Sequence, residues 1–376
     1  MLLEIHMLKN YPPTNLNRDD TGAPKTCLFG GVNRGRISSQ CLKRSWRTSD
    51  IFREEIGAEN LGIRTRKLPE LVANRLLELG ISQEFVSEIK PKISGFGNKD
   101  CKENSRDPSC TAQMIFYSPE DIDVVALAIK ERLEKCQTVK DVKAIKIKDF
   151  QDVAKQTASV RPVTLDIALF GRMVTSDAFR DVEAAMQVAH AVSTNKVSVE
   201  SDYFTAMDDL LTGANLDETG AGMIGDIDYN SSCYYLYASL DTDVLRESLK
   251  YSDNADVIIT KTIPALLRAI AFSNPSGKQN SFAGHVLPSC MMIECKDKKI
   301  PVSLINAFTE PVKGNDLVKE SILKMANEAD MIDDSFKLPI KARHWFCVNK
   351  YDIHPKCASS IYTSFQEFAD AVSQMI

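Results

Sequence analysis

No run of about 18 uncharged apolar residues occurs in the 376-residue chain, so no transmembrane helix is predicted. The start, MLLEIHMLKN, lacks the basic head and long apolar core of a secretory signal. It alternates instead, Leu3, Ile5 and Met7 against Glu4, His6 and Leu8, which suits a strand. None of the ten cysteines sits in a CxxC pair. Without an export signal they are expected to be reduced thiols of a cytoplasmic protein. Walker A, GxGxxG, HExxH and GxSxG are all absent, which removes the enzyme classes those motifs report. None of the five histidines adjoins a catalytic signature. The nearest approach to a metal cluster is His285, Cys290 and Cys295. It lacks an evident fourth ligand, and the apolar MMIE between the two cysteines suits a buried strand better than a zinc site. No metal and no cofactor is expected.

What is present is ordinary in bulk. Hydrophobic residues make up 44% and charged residues 26%, which excludes a collagen, a disordered tail and a coiled-coil rod. At about 150 residues per domain, the length suits two or three domains, or one with large insertions.

Charge is uneven. The net charge of −5 argues against nucleic acid as a partner, but local fields rather than the net value attract a polyanion. Residues 21–49 hold Lys25, Arg34, Arg36, Lys43, Arg44 and Arg47 and no acid, whereas 199–228 hold eight acids and no base. A third segment, 130–148, carries seven bases against three acids. Any such run can simply be a solvated face. An acid-free basic segment in an acidic chain also fits a phosphate-binding site. Arg34, Arg36, Lys43, Arg44 and Arg47 with Ser38, Ser39 and Gln40 would supply its donors.

The patterning predicts a strand at the N-terminus and long loops over 10–37, rich in Pro, Gly, Asn and Asp. Ser38 and Ser39 suit the cap of a helix beginning near Gln40. Leu42 and Trp46 would face its core, with Lys43 and Arg47 on a neighbouring exposed face. The free N–H groups of that helix start suit a phosphate. Residues 66–160 are predicted mainly helical. They include a capping-box start at Ser118-Pro119-Glu120-Asp121 and a polar, mobile loop at 94–112. A strand is predicted at 163–170, then the tight turn Gly171-Arg172-Met173 and a helix over about 178–193. His190 would lie on that helix as a core or groove histidine. Residues 197–230 suit an extended excursion. Strands are predicted at 233–240, 290–295, 301–308 and near 344–348, and helices at 253–272 and 361–375. The order implies an α+β fold with two insertions, compatible with a ferredoxin-like, RRM-type sheet. Asn17-Arg18-Asp19-Asp20 pairs two carboxylates. They could hold a metal for phosphodiester cleavage, or cap a turn through their own backbone.

At 15–47, NLNRDDTGAPKTCLFGGVNRGRISSQCLKRSWR resembles the CasC backbone subunits of type I-E CRISPR Cascade complexes, in the Cas-seven superfamily. Further matches are DIALFGRMVTSD (166–177), VEAAMQVAHAVSTNKV (182–197) running into DYFTAMDDL (202–210), and QNSFAGH (279–285). The resemblance implies a right-hand-shaped protein with a modified RRM palm. The palm would comprise residues 1–59, 161–195 and 231–376, with helical fingers at 60–160 and a hairpin-like thumb at 196–230. It implies copies stacked head to tail along a CRISPR RNA guide, kinking it at intervals and presenting its bases to target DNA. The implied partners are the guide, target DNA through the guide, further copies of the chain and other Cascade subunits, and no membrane. By motif, Arg18, Ser38, Gln40, Lys43, Arg44 and Arg47 would contact guide phosphates. Arg172 and Met173 would lie at the guide, Met173 as a wedge against its bases. Phe204 and Thr205 would sit by the kinked nucleotide. The acidic thumb would dock on a neighbour's basic face, with Asp208 and Asp209 as the test positions. The resemblance implies binding rather than catalysis. Related type III backbones cut target RNA with a loop aspartate, which makes Asp19 or Asp20 the catalytic alternative.

Overall fold

The alternating N-terminus does form a strand, β1 (Leu2–Thr14), yet its polar positions do not face water: Glu4 and His6 are as buried as Leu3 and Ile5. The computed structural model describes residues 1–100, 102–206, 223–349, 351 and 360–375. The next strands are β2 (Thr26–Phe29), β3 (Val32–Ile37), β4 (Ile63–Thr65), β5 (Ile115–Tyr117) and β6 (Met186–Val188). They are followed by β7 (Ala191–Ser193), β8 (Val199–Ala206), β9 (Met223–Asp241), β10 (Cys290–Lys296), β11 (Ile340–Cys347) and β12 (Ser360–Tyr362). The chain forms two compact units: Met1–Phe52, Val188–Leu240 and Ile263–Ile376 in one, Arg53–Gln187 and Asp241–Thr262 in the other.

The first unit is an α+β palm of RRM type. Its sheet runs β12-β11-β10-β1-β9-β7-β3-β2, with β8 paired along β9. Only β12 runs parallel to its neighbour among the registered pairs. Both faces of the central strands are covered, so polar side chains there need partners. Register supplies them: Glu4 lies opposite Glu294, and Glu294 opposite Arg343. Lys296 pairs with the Glu4 carboxylate and lies 3.1 Å from Glu294, and Arg343 Nε donates to Glu294 Oε1 at 2.8 Å. Tyr237 donates its hydroxyl to Glu4 Oε1 at 2.6 Å. On one side, Leu8, Met292 and Trp345 pack with Ile322 and Met325 of the helix Leu317–Phe336, a helix that the sequence reading passed over.

The second unit is mainly helical. Leu68–Glu78, Gln83–Ile93, Pro119–Leu133 and Ile147–Ala158 bury Val72, Leu76, Ile89, Val125, Ile129 and Phe150 in one core. The predicted capping box is present: Ser118 Oγ accepts from Asp121 N at 3.2 Å, and Asp121 Oδ2 accepts from Ser118 N at 3.0 Å. No helix among the described residues is long and apolar enough to cross a membrane.

Several local expectations are corrected. Residues 10–37 are not mainly loop, because β1 continues to Thr14 and β2 and β3 form a hairpin. Gly30 and Gly31 close it with φ of +59° and +77°, the conformation a two-residue hairpin turn needs. A Cβ on Gly30 would lie 1.8 Å from Thr309 O. Residues 94–100 and 102–112 are anchored, with Phe96 fully buried and Thr111 N donating to Arg66 O at 2.7 Å. VTLDIALF gives the helix Leu165–Phe170 instead of a strand; a short apolar run does not by itself separate the two. The helix expected over 178–193 is absent. Val182 instead exchanges both backbone bonds with Arg172, and β6 and β7 follow. Residues 301–308 contain a 3-10 turn, Leu304–Phe308, rather than a strand.

Candidate nucleic-acid interface

The helix α1 (Ser39–Arg47) carries the densest set of predicted contacts. Ser38 caps it, its Oγ accepting from Cys41 N at 3.3 Å. Leu42 and Trp46 are buried and line a small cavity with Met7, Lys9, Tyr11 and Tyr234. At 3.6 residues per turn, Gln40, Lys43, Arg44 and Arg47 fall within an arc of about 100° on the other side. Gln40 and Arg44 are exposed, and Lys43 and Arg47 half-buried. No acid occupies the first turn of α1, and Arg44 and Arg47 sit in its last turn, where cations suit the helix dipole.

The loop before the hairpin is tied to this helix. Ser38 N donates to Asn17 Oδ1 at 2.8 Å, Lys25 N to Asn17 O at 2.8 Å, and Arg36 N to Lys25 O at 2.8 Å. Exposed Arg18 is thereby held in a narrow turn, bridged to Pro24. Arg36 Nη1 lies 3.1 Å from His190 Nδ1. A guanidinium only donates, so Nδ1 accepts and the imidazole is neutral. Burial first, then the Arg36 and Lys25 charges, lower the His190 pKa. This histidine is exposed between β6 and β7, so of the expected core or groove residue on a helix, the helix and the core placement are corrected.

The QNSFAGH segment, with Gly277 just before it, joins the same place. A Cβ on Gly277 would lie 2.3 Å from Leu16 O, and one on Gly284 2.8 Å from Thr14 Oγ1. Asn15 Nδ2 donates to Asp228 O of β9 at 2.8 Å. Three stretches far apart in sequence thus converge at the end of β1, a convergence that spacing alone did not reveal.

Three predicted contacts, Arg34, Arg172 and Ser38, are corrected, because each is buried. Arg34 is fully buried. Its Nη1 donates to Ser193 O and Thr194 O at 2.9 and 2.8 Å, and its Nη2 to Phe308 O at 2.8 Å. It holds palm segments together and offers nothing to a surface. Arg172, in the helical unit, is also buried. Its Nη1 donates to Asp121 Oδ2 and to Phe116 O at 3.0 Å, and its Nε to Arg180 O at 3.0 Å. Its neighbour Met173 is 93% exposed, so it is not a core methionine. Ser38 is buried and committed to the cap, while Ser39 is half-buried with its Oγ 3.4 Å from Gln40 Oε1. Phe204 is half-buried over Gly225, whose added Cβ would lie 2.6 Å from its ring, and Thr205 is exposed. Asp208 and Asp209 lie outside the described residues.

Asp19 serves its own loop: Oδ1 accepts from Thr21 N, Thr21 Oγ1 and Ala23 N at 2.9, 2.7 and 3.1 Å. The Thr21 hydroxyl foremost holds its pKa below the usual carboxylate value. Cys290 and Cys295 are buried five residues apart on β10 and so point to opposite faces, and His285 is exposed. These three cannot share one ion. Among the described residues no group of three or more His, Cys, Asp and Glu side chains is arranged to hold a metal.

The family model of the CT1975-like proteins matches residues 3–372, and the chain belongs to that family. A subunit of a solved CRISPR RNA-guided surveillance complex, pre-nicking, is 26% identical over 100% of both chains with a TM-score of 0.83. A subunit of another CRISPR RNA-guided surveillance complex, 22% identical over 100% of both chains with a TM-score of 0.71, shares the fold. None of the curated proteins matches the chain.

Proposed function

We propose that this protein is a guide-binding backbone subunit of a CRISPR surveillance complex of the type I-E, CasC kind. The observation that carries the reading is the joined set on the palm: Arg18 in its stapled turn, Arg36, and the Gln40, Lys43, Arg44 and Arg47 stripe of α1. Such donors grip phosphates and carry no sequence information. The protein would hold the guide through its backbone while base pairing to target DNA supplies specificity. Met173 would wedge against guide bases, and Phe204 and Thr205 would flank a kinked nucleotide. Copies would stack head to tail, an open interface whose length the guide sets. The role is binding rather than cleavage, which the engagement of Asp19 Oδ1 within its own loop supports.

Co-expression with a CRISPR array, the guide-processing subunit and the remaining candidate subunits tests the reading. Purified complexes should retain RNA of guide length, sensitive to RNase and not to DNase. A purified complex or monomer that carries no RNA would refute it.

A further inference from the structure

We propose that Met114 is a second base-contacting residue, acting beside Met173 on an unpaired nucleobase of the guide strand. The inference rests on the guide-binding reading above.

Met114 is 57% exposed at the entry to β5, where the next side chain, Ile115, is buried. The strand it leads into is joined to the turn that carries Met173. Gln113 and Thr175 are hydrogen-bonded through their side chains at 3.2 Å, and Arg172 Nη1 reaches Phe116 O at 3.0 Å. One bond therefore precedes Met114 and another follows it, each ending within two residues of Met173. An exposed thioether gains nothing from water, and two on segments joined by these bonds offer apolar surface suited to the face of a base.

The charges around this surface select a nucleotide over an apolar peptide. Arg64 lies opposite Phe116 in the β4–β5 pair and is exposed, as is Arg66, whose Nε donates to Thr111 O at 2.8 Å. Of the acids here, Asp181 accepts through Oδ1 from Val174 N at 2.7 Å and so fixes the turn beside Met173, and Asp177 pairs with Lys155 at 2.9 Å. Thioethers for the base beside guanidinium groups for phosphate match one nucleotide of a single strand.

The test uses the assembled complex, expressed with a photoreactive methionine analogue and its native guide. After irradiation, RNA-linked peptides are identified by mass spectrometry. Cross-links at both Met114 and Met173 are expected. Cross-links at Met173 alone would overturn the inference and leave the guide-binding reading standing. Guide RNA retained with neither methionine cross-linked would overturn it together with the wedge role of Met173. In a second arm, Met114→Ala should weaken guide retention about fivefold and Met114→Leu should restore it. Unchanged retention in Met114→Ala would also overturn the inference.

Discussion

Arg172 Nη1 lies 2.5 Å from Asp121 Oδ2 in the interior of the helical unit, and the next side chain along the chain, Met173, is 93% exposed. The buried pair fixes the turn from below, and Gly171, at φ +78°, lets the backbone make it. One GRM turn thus supplies an internal anchor and an external hydrophobe. Removing the anchor leaves a buried carboxylate with Arg161, 2.8 Å from Asp121 Oδ1, as its remaining guanidinium. Arg172→Ala should cost about 3 kcal/mol of stability by urea unfolding. A change under about 0.5 kcal/mol would show that the pair is not a structural anchor.

Asn17 links the NRDD turn to the start of α1 through Ser38 N. Asn17→Ala should cost about 1 kcal/mol. Asn17→Asp keeps the acceptor and so retains stability, but places a negative charge among the phosphate donors. It should therefore lose RNA affinity while keeping its melting temperature. Calorimetry and filter binding on the same preparations separate the two effects.

Arg44 is exposed on α1 and Lys43 half-buried beside it, on a face neighbouring the buried Leu42 and Trp46. Replacing both with Ala should weaken RNA binding equally for unrelated sequences. It should also flatten the slope of log K against log salt by about 0.7 per lost contact. A sequence-dependent loss would contradict backbone binding.

Lys9 sits beneath α1 with its Nζ donating to Ser273 O at 2.8 Å, and burial lowers its pKa to about 7. Between that value and the ordinary 10.5, the unfolded chain holds a proton that the folded chain has released. Stability therefore rises with pH across this window, by up to about 1.4 kcal/mol per pH unit from this group. Lys9→Met should remove that dependence, read as the difference in unfolding free energy between the two proteins from pH 7 to 10. Parallel curves would show that the amine is not desolvated.

The helix α1 was legible in the sequence because its signals are local: a serine cap, two apolar residues four apart, and bases on a neighbouring face. The Ser118 capping box was legible for the same reason. Arg34 and Arg172 were not, because a basic residue in a basic segment looks the same whether it faces solvent or a ring of carbonyls. Their burial depends on Ser193, Phe308 and Asp121, which are distant in sequence. Val182 and its neighbours have helical spacing, yet the cross-chain bonds to Arg172 outweighed it. The junction of Asn15, Gly277 and Gly284 had no local sign at all, although the resemblance marked both of its ends.

The most direct test of the central claim varies the guide. Complexes assembled on CRISPR RNAs with spacers lengthened in fixed steps would be weighed by native mass spectrometry. The account predicts that the mass rises in increments that include one further copy of this 41.8 kDa chain together with the added RNA. A copy number that stays constant as the guide lengthens would contradict it.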